Sequence, residues 1–299
     1  GVPVVFVNGR LSERSFRGFG RAISFSGGVL RGFLKRVLND AALFLMQSER
    51  DAARLLALGA PEQRVLVTGN LKYDLVEPPE SPLSAWLGEE LTRDRRSPVL
   101  LAGSVVANEE AAVLRALADV EREFPNALLI LAPRKPDHFD NAADAIARSG
   151  REVVRRREIT FNGVGNAPLA DPGSVLLLDS LGELAGLYRL ADAVFVGGSL
   201  VSSGGHNILE PAAFGKVPVY GPSMENFREM AGHFLRAGAA IQVNNSEDLG
   251  SAWRGLLRDR DRAARMGATA RALVERNRGA TDRVLEHIMD MIEPSRDRM

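Results

Sequence analysis

Residues 194–211 read Val-Phe-Val-Gly-Gly-Ser-Leu-Val-Ser-Ser-Gly-Gly-His-Asn-Ile-Leu-Glu-Pro. The first three are apolar and largely β-branched, as is typical of a strand buried on both faces. Glycines follow where the backbone must turn sharply or approach a ligand. A helix is expected to begin at Asn207, a good N-cap, and to end at Gly215, a good C-cap. The predicted order is therefore strand, glycine-rich loop and helix N-terminus.

That helix N-terminus is a candidate phosphate site. Its free N–H groups and the positive end of its macrodipole would let Asn207, Ile208 and Leu209 hold a phosphate by backbone alone. A phosphate would repel Glu210, so we expect its carboxylate to point aside, towards hydroxyls such as those of a ribose. An ordinary strand–helix unit explains the spacing equally well, because a lone glycine-rich loop is a weak signal.

The composition bears on several classes of function. The chain has 299 residues with 38 basic and 38 acidic side chains, and a net charge of zero gives no reason to expect nucleic acid as a partner. It has no cysteine, so disulfides and thiolate chemistry are excluded. No stretch approaches the ~18 consecutive apolar residues of a membrane span. We interpret Asp259-Arg260-Asp261 as solvated surface, and no metal site is expected.

Apolar strands alternate with helical patterns after residue 98, which predicts a doubly wound parallel sheet. The expected strands are residues 99–102, 128–132, 153–154, 175–178, 194–196, 217–220 and 240–243. A further helix is expected to be capped by Asn108, with Glu109 and Glu110 in its first turn. Ligands of such sheets lie beyond the carboxyl ends of the strands. Candidate binding residues follow expected strands and should meet at one edge: Pro133, Arg134, Leu181, Gly182, Glu183, Gly198, Ser199 and residues 207–210.

The remaining chain predicts the domain organisation. A buried strand is expected at residues 3–7, a helix at 43–58 and a strand at 65–67. Proline-rich turn chemistry at residues 77–82 indicates a boundary, giving a domain at 1–76, a linker at 77–97, a domain at 98–275 and a C-terminal helix at 276–299. Residues 155–173 are predicted to form a surface loop in which Arg155-Arg156-Arg157 is solvated. Because about seventy residues are few for an α/β layer, we expect the first domain to be incomplete.

A basic stripe lies near the start of the chain. The stripe consists of Arg10, Arg14, Arg17 and Arg21, on a helix that Ser12 would cap. Phe16, Phe19 and Ile23 form a second stripe. A solvated basic face over a core face is the ordinary interpretation, and docking against an anionic membrane or acceptor is the alternative.

Taken together, these motifs resemble those of the bacterial transferases for 3-deoxy-D-manno-octulosonic acid (Kdo) in lipopolysaccharide synthesis. The residues that carry the resemblance are 7–15, 69–74, 133–134, 181–184 and 195–212, extended by Gly221-Pro222 and Asn226-Phe227. The resemblance implies an α/β fold with two Rossmann-like domains of the GT-B glycosyltransferase type that face a cleft, the first domain being truncated here. It also implies an inverting, metal-independent transfer of Kdo from CMP-Kdo to a lipid A precursor, without a cofactor, at the cytoplasmic face of the inner membrane.

The resemblance further implies roles for residues. Segments 133–134, 181–183 and 207–210 match the CMP-binding segments of the family, with Arg134 offering a cation to the nucleotide and Glu210 accepting ribose hydroxyls. The family's catalytic base is a glutamate expected upstream of Gly1, so we expect this chain to bind CMP without transferring sugar. Val106 and Lys135 stand where the family often has histidine, which leaves the details of sugar recognition open.

Two other functions fit the same motifs. A GT-B transferase or epimerase that uses a UDP-sugar would employ the same phosphate-binding chemistry, and preference for UDP over CMP would favour it. A non-catalytic nucleotide-binding protein is the second alternative, and the absence of an upstream glutamate in a strand-end loop would favour that.

Overall fold

Two parallel sheets organise the part of the chain that the computed structural model describes, residues 2–93, 95–161, 169 and 171–292. The strands are β1 (Val5–Gly9), β2 (Leu43–Met46), β3 (Val65–Val67), β4 (Val99–Val105), β5 (Leu128–Pro133), β6 (Val153–Arg155), β7 (Val175–Leu177), β8 (Ala193–Val196), β9 (Pro218–Tyr220) and β10 (Ile241–Gln242). The first sheet has the order β1-β2-β3, and the second has the order β10-β9-β8-β4-β5-β7-β6.

Helices follow most of these strands. In chain order they are α1 (Glu13–Phe25), α2 (Val29–Asp40), α3 (Glu49–Ala57), α4 (Pro82–Arg93), α5 (Glu110–Glu121), α6 (Phe139–Arg148), α7 (Leu184–Leu187), α8 (Leu209–Ala213), α9 (Arg228–Arg236), α10 (Ser246–Arg258), α11 (Arg260–Arg276) and α12 (Ala280–Ile292). Contacts divide the described chain into a first unit, residues 2–75 with 275–292, and a second unit, residues 76–274. Among the described helices, none has both the length and the apolar content needed to cross a membrane.

The predicted helix at residues 43–58 is wrong in its first turn. Residues Leu43–Met46 form β2, which is central in the first sheet and pairs with β1 and β3. Helix α3 begins only at Glu49, where the Ser48 hydroxyl accepts the N–H of Asp51 at 3.2 Å. Four apolar residues suit a strand or a helix, and hydrogen bonds to two distant segments settle which one forms.

The first strand is less buried than its sequence predicts. Phe6 is 52% exposed, although its ring stacks on that of Phe44 with centroids 5.1 Å apart. At the other end of this unit, Asp74 accepts the N–H groups of Gly279 at 2.6 Å and Thr281 at 2.5 Å, which ties it to the first turn of α12. The C-terminal segment therefore packs on the first unit. Residues 293–299 of the predicted terminal helix lie outside the described residues.

The second sheet confirms the predicted doubly wound architecture. All seven expected strands are present, and every neighbouring pair is parallel. The predicted linker at residues 77–97 contains α4, whose Leu83 and Leu87 are fully buried. Of the predicted loop at 155–173, residues 162–168 and 170 lie outside the described residues.

The strand order defines where a ligand belongs. From β4 the chain moves to β5 and on to β6 and β7 on one side, and then returns to β8 on the opposite side of β4. This reversal is a topological switch point, beyond which open α/β sheets bind ligands. The loops that follow β4 and β8 therefore flank the expected crevice.

Candidate functional site

The loops after β4 and β8 are in direct contact. The N–H of Gly197 donates to the carbonyl oxygen of Gly103 at 2.8 Å. A Cβ atom at Gly197 would collide with the backbone oxygen of Ser104, so only glycine permits this approach. The glycine at this position is therefore required by packing between two strand ends.

A buried carboxylate organises the glycine-rich loop. Glu109 Oε2 accepts the N–H of Gly198 at 2.6 Å, and Oε1 accepts the N–H groups of Ser199 at 2.9 Å and Leu200 at 2.8 Å. The expected cap at Asn108 is wrong: helix α5 begins at Glu110, and Glu109 stands in the cap position with its side chain turned inward. Glu109 is fully buried.

This arrangement limits how the predicted binding residues Gly198 and Ser199 could contact a nucleotide. Their N–H groups already donate to Glu109, so they are not available to a phosphate. The Ser199 hydroxyl is also engaged, since it donates to Val196 O at 2.5 Å and accepts the N–H of Gly221 at 2.8 Å. Ser199 is fully buried and acts within the protein.

His206 is brought to the same place by the loop. The N–H of Gly205 donates to Gly198 O at 2.7 Å, which folds residues 198–205 back on themselves. Within the described residues, the Nε2 atom of His206 is buried and has no hydrogen-bond partner. Burial, and then the nearby Arg134 guanidinium, lower the pKa of His206 below its ordinary value of 6.5.

Asn207 and Glu210 are linked to each other. Asn207 Nδ2 donates to Glu210 Oε1 at 3.2 Å, and Asn207 Oδ1 accepts the N–H of Leu209 at 3.1 Å. Burial raises the pKa of Glu210 above 4.5, and the Asn207 hydrogen bond and the Arg134 charge oppose that rise. The amide of Asn207 therefore orients a half-buried carboxylate.

The predicted helix start is also corrected. Helix α8 spans only Leu209–Ala213, and Ile208 rather than Asn207 stands in its cap position. The Leu209 N–H donates to Asn207, and the side chains of Ile208 and Leu209 are fully buried. The Leu209 N–H is therefore not free for a phosphate. Gly215 follows the helix with a φ of +67°, which agrees with the predicted C-terminal glycine.

Arg134 completes what we call the polar cluster, which consists of Arg134, His206, Asn207 and Glu210. Arg134 is exposed directly after β5, and its N–H donates to Val105 O at 2.8 Å. Its positive charge opposes protonation of both His206 and Glu210. Pro133 is buried at the end of β5 and serves to place Arg134.

The segment at residues 181–183 lies after β7. Leu181 is 69% exposed and Gly182 has a φ of +85°. Arg156 binds the Glu183 carboxylate through Nε–Oε2 at 2.9 Å and Nη2–Oε1 at 2.8 Å, and the Ser180 hydroxyl also donates to it. Among the described residues, no hydrogen bond or ion pair joins Glu183 to the polar cluster.

The prediction that residues 155–157 are solvated is wrong for two of the three arginines. The side chains of Arg155 and Arg156 are only 17% and 15% exposed. Arg155 pairs with the fully buried carboxylate of Asp179 at 3.4 Å, and the guanidinium of Arg156 lies 4.8 Å from the centre of the Phe161 ring. Asp179 and Glu183, which follow β7 in the chain, pair with these arginines and hold them away from solvent.

The basic stripe lies in the first unit. Ser12 caps α1 as predicted, accepting the Ser15 N–H at 3.1 Å, but the helix begins at Glu13 and leaves Arg10 outside it. The side chains of Arg14, Arg17 and Arg21 are exposed. The expected core stripe is only half-buried at Phe16 and Ile23, and Phe19 is 39% exposed. No residue of α1 is fully buried.

Sequence reasoning missed two residues of this site. Glu109 was assigned to a helix turn, although it follows β4 at the switch point. His206 stands between Gly205 and Asn207 in the quoted run, and its position beside two glycines was the available signal.

Comparison with known proteins shows which family the chain is similar to. Residues 1–75 match the family model of 3-deoxy-D-manno-octulosonic-acid transferase (kdotransferase), and residues 172–273 match that of glycosyl transferases group 1. The 3-deoxy-D-manno-octulosonic acid transferase of Haemophilus influenzae is 31% identical over 298 residues, which cover 99% of this chain and 65% of that protein. Along almost its whole length the chain is thus similar to a Kdo transferase. It spans just under two thirds of the length of this relative.

Solved structures agree with that assignment. The C-terminal CMP-Kdo binding domain of WaaA from Acinetobacter baumannii is 27% identical, covers 64% of this chain and 98% of its own length, and has a TM-score of 0.55. The fold alone is shared with Anabaena HepE, solved in complex with UDP, which is 15% identical over 98% of this chain and 72% of its own, with a TM-score of 0.52. The chain therefore has the GT-B type of fold, built from two α/β units.

Proposed function

We propose that this chain serves the transfer of Kdo from CMP-Kdo to a lipid A precursor, and that its second unit binds the donor. The observation that carries this proposal is the buried Nε2 of His206, which has no partner among the described residues and lies near Arg134 at the switch point of the sheet. A buried polar atom without a partner is destabilising by about 1–3 kcal/mol, so a bound ligand that supplies the partner gains that energy.

The charges of the polar cluster suit a nucleoside monophosphate. An exposed guanidinium and a half-buried imidazole favour phosphate oxygens, and Arg134 has the planar geometry that binds them in pairs. Glu210 lies near the same cation, and its carboxylate oxygens would accept hydrogen bonds from hydroxyl groups rather than from phosphate. A ribose attached to that phosphate supplies such hydroxyls.

The same groups would assist the transfer. As the acceptor hydroxyl gives its proton to a carboxylate base and attacks the anomeric carbon, the bond from that carbon to the phosphate oxygen breaks, and negative charge builds up on departing CMP. Arg134 and the N–H of His206 would stabilise that charge in a site already partly shielded from water. Glu210 and Asn207 would hold the ribose in place during this step.

Calorimetric titration with CMP and UDP tests the donor assignment. CMP should bind more tightly than UDP, and His206→Ala should weaken CMP binding about tenfold or more through loss of a buried hydrogen-bond partner. His233→Ala, which removes an exposed histidine of α9 in the same unit, is the matched control and should bind CMP normally. Preference for UDP would favour a UDP-sugar enzyme, and absence of nucleotide binding would overturn the proposal.

A second titration assigns Glu210. Glu210→Ala should weaken binding of CMP but leave that of 2′,3′-dideoxy-CMP unchanged, because the dideoxy nucleotide has no ribose hydroxyl for the carboxylate to accept. Equal losses for both nucleotides would show that Glu210 acts elsewhere than on the ribose.

The first unit suits an anionic membrane surface. Residues 13–40, which form α1 and α2, carry six basic and two acidic side chains. Large apolar side chains stand exposed among them: Phe25 is 93%, Val29 is 78% and Phe33 is 62% exposed. Basic and aromatic side chains on one amphipathic surface are typical of interfacial helices. We propose that this surface docks at the cytoplasmic face of the inner membrane, where a lipid A precursor would be reached.

A further inference from the structure

The carboxylate of Glu109 lies where the backbone N–H groups of the glycine-rich loop converge, a position at which such loops can bind a ligand anion. Three consecutive backbone N–H groups, those of Gly198, Ser199 and Leu200, converge on it at 2.6–2.9 Å. The N–H of Val106, on the opposite loop, donates to the same carboxylate at 3.1 Å. Each carboxylate oxygen thus accepts two N–H groups.

This environment fully satisfies a buried charge. An ionised carboxylate offers about four acceptor positions, and all are used here. Glu109 also stands at the N-terminus of α5, and its carbonyl oxygen accepts the N–H of Val113 at 3.0 Å in the first turn. The positive end of that 12-residue helix adds to the stabilisation. Desolvation of the charge is therefore compensated by fixed dipoles.

We propose that Glu109 is a positioning residue for donor binding, and this inference rests on the proposed function. Its carboxylate acts as an internal anion that holds residues 198–200 in place and keeps external anions away from their N–H groups. The phosphate of the donor is thereby directed to the side chains of Arg134 and His206.

The contacts connect Glu109 to His206 in two steps. Glu109 holds the N–H of Gly198, and the carbonyl of Gly198 accepts the N–H of Gly205, the residue before His206. The imidazole also packs against Gly198, since a Cβ atom built there would lie 2.7 Å from His206 Cδ2. Removing the carboxylate leaves buried N–H groups without acceptors, and such groups rearrange or recruit another anion.

Chemical rescue provides the test. In Glu109→Ala protein, CMP should bind about tenfold or more weakly, because unpaired N–H groups shift the loop that carries His206. Added formate, a free carboxylate small enough for the vacated space, should restore most of the affinity. Glu109→Gln should be intermediate, because its amide offers one acceptor oxygen and turns an NH2 group towards N–H donors. If the alanine variant does not fold, the CMP affinity of Glu109→Gln provides the test instead.

Glu90→Ala is the matched control. It removes another buried carboxylate of the second unit, one that pairs with Arg93 in α4 and has no hydrogen bond to residues 198–200 among the described contacts. This variant should keep wild-type affinity for CMP and show no response to formate. Circular dichroism would establish that each variant is folded at the temperature of the titration.

Hydrogen exchange separates this inference from the donor assignment. Amides of residues 198–200 should exchange faster in Glu109→Ala than in the wild type, and formate should slow them again. If the wild type binds no nucleotide but the exchange pattern holds, the proposed function fails and the loop-holding role stands. If folded Glu109→Ala protein binds CMP with wild-type affinity, or formate has no effect on affinity and exchange, the positioning role is overturned.

Discussion

His206 packs against Gly198 so closely that a Cβ atom on the glycine would lie 2.7 Å from the imidazole Cδ2. Gly198 also has a φ of +67°, a region that side chains rarely adopt. The glycine thus permits both the path of the backbone and the position of the buried histidine. Any side chain at this position must displace the imidazole.

Gly198→Ala should therefore weaken CMP binding as well as stability. The left-handed backbone alone costs roughly 1–2 kcal/mol with a side chain present. Gly150→Ala is the matched control, because Gly150 has a φ of +80° and open space around its Cβ position. Both variants bear the backbone cost, Gly198→Ala should lose additional stability through the clash with His206, and only Gly198→Ala should bind CMP several-fold more weakly. Equal CMP affinities would contradict the contact with His206.

CMP binding should take up protons through His206. The free protein holds this imidazole neutral at neutral pH, because burial and Arg134 lower its pKa below 6.5. A bound phosphate raises that pKa. The contribution of protonated His206 to CMP affinity is therefore complete below the pKa of the free protein, and it is lost as the pH rises through the pKa of the complex. Affinity should therefore rise as the pH falls from about 8 towards 6.

Titrations in buffers of different ionisation enthalpy measure this uptake directly. His206→Gln is the control, since it retains a polar side chain but cannot titrate. In this variant, the remaining proton uptake should come from protonation of CMP itself. Proton uptake that is identical in the variant would assign the effect to the nucleotide rather than to His206.

Substitution by alanine should have opposite effects on stability at two helical glycines. A Cβ atom on Gly255, in α10, meets nothing within 4 Å, so Gly255→Ala should stabilise the second unit by about 0.5–1 kcal/mol. A Cβ atom on Gly267, in α11, would collide with the backbone oxygen of Gly215, so Gly267→Ala should destabilise by about 1–3 kcal/mol.

Tryptophan fluorescence reports this difference selectively. Both tryptophans of the chain, Trp86 and Trp253, belong to the second unit, and Trp253 is fully buried. Urea denaturation followed by fluorescence therefore measures the unfolding of the unit that carries both glycines. A stabilised Gly267→Ala variant would show that α11 packs differently.

Membrane binding should depend on apolar and basic side chains of α1 and α2. The double variant Phe25→Ser and Phe33→Ser should reduce sedimentation with phosphatidylglycerol vesicles, because both rings are exposed at 93% and 62%. Arg14→Ser with Arg21→Ser should remove most of the salt-sensitive part of the binding. Val76→Ser, which alters an 89% exposed side chain of the second unit, is the control. Equal binding to neutral phosphatidylcholine vesicles would contradict an electrostatic contribution.

Much of the second sheet could be predicted because its signals are local. Short apolar runs such as Val194 to Val196 have no polar face to place in water, and they alternate with helices, so a parallel sheet covered on both sides is the solution. The position of Arg134 after a strand follows from the same reasoning. The run at residues 43–46 was ambiguous, since its character depends on pairing with β1 and β3.

The sequence by itself determined the α/β class, the strands of the second sheet and the residues that stand at their carboxyl ends, because hydrophobic pattern and glycine placement act over a few residues. Only the tertiary structure decided what those residues do. Glu109 and Gly198 are 89 positions apart, and their hydrogen bond exists because β4 and β8 are neighbours in the sheet. The same pairing leaves Nε2 of His206 buried without a hydrogen-bond partner in the described part of the chain, with Arg134 nearby. Hydrogen bonds and desolvation depend on distance in space, and the strand order sets that distance.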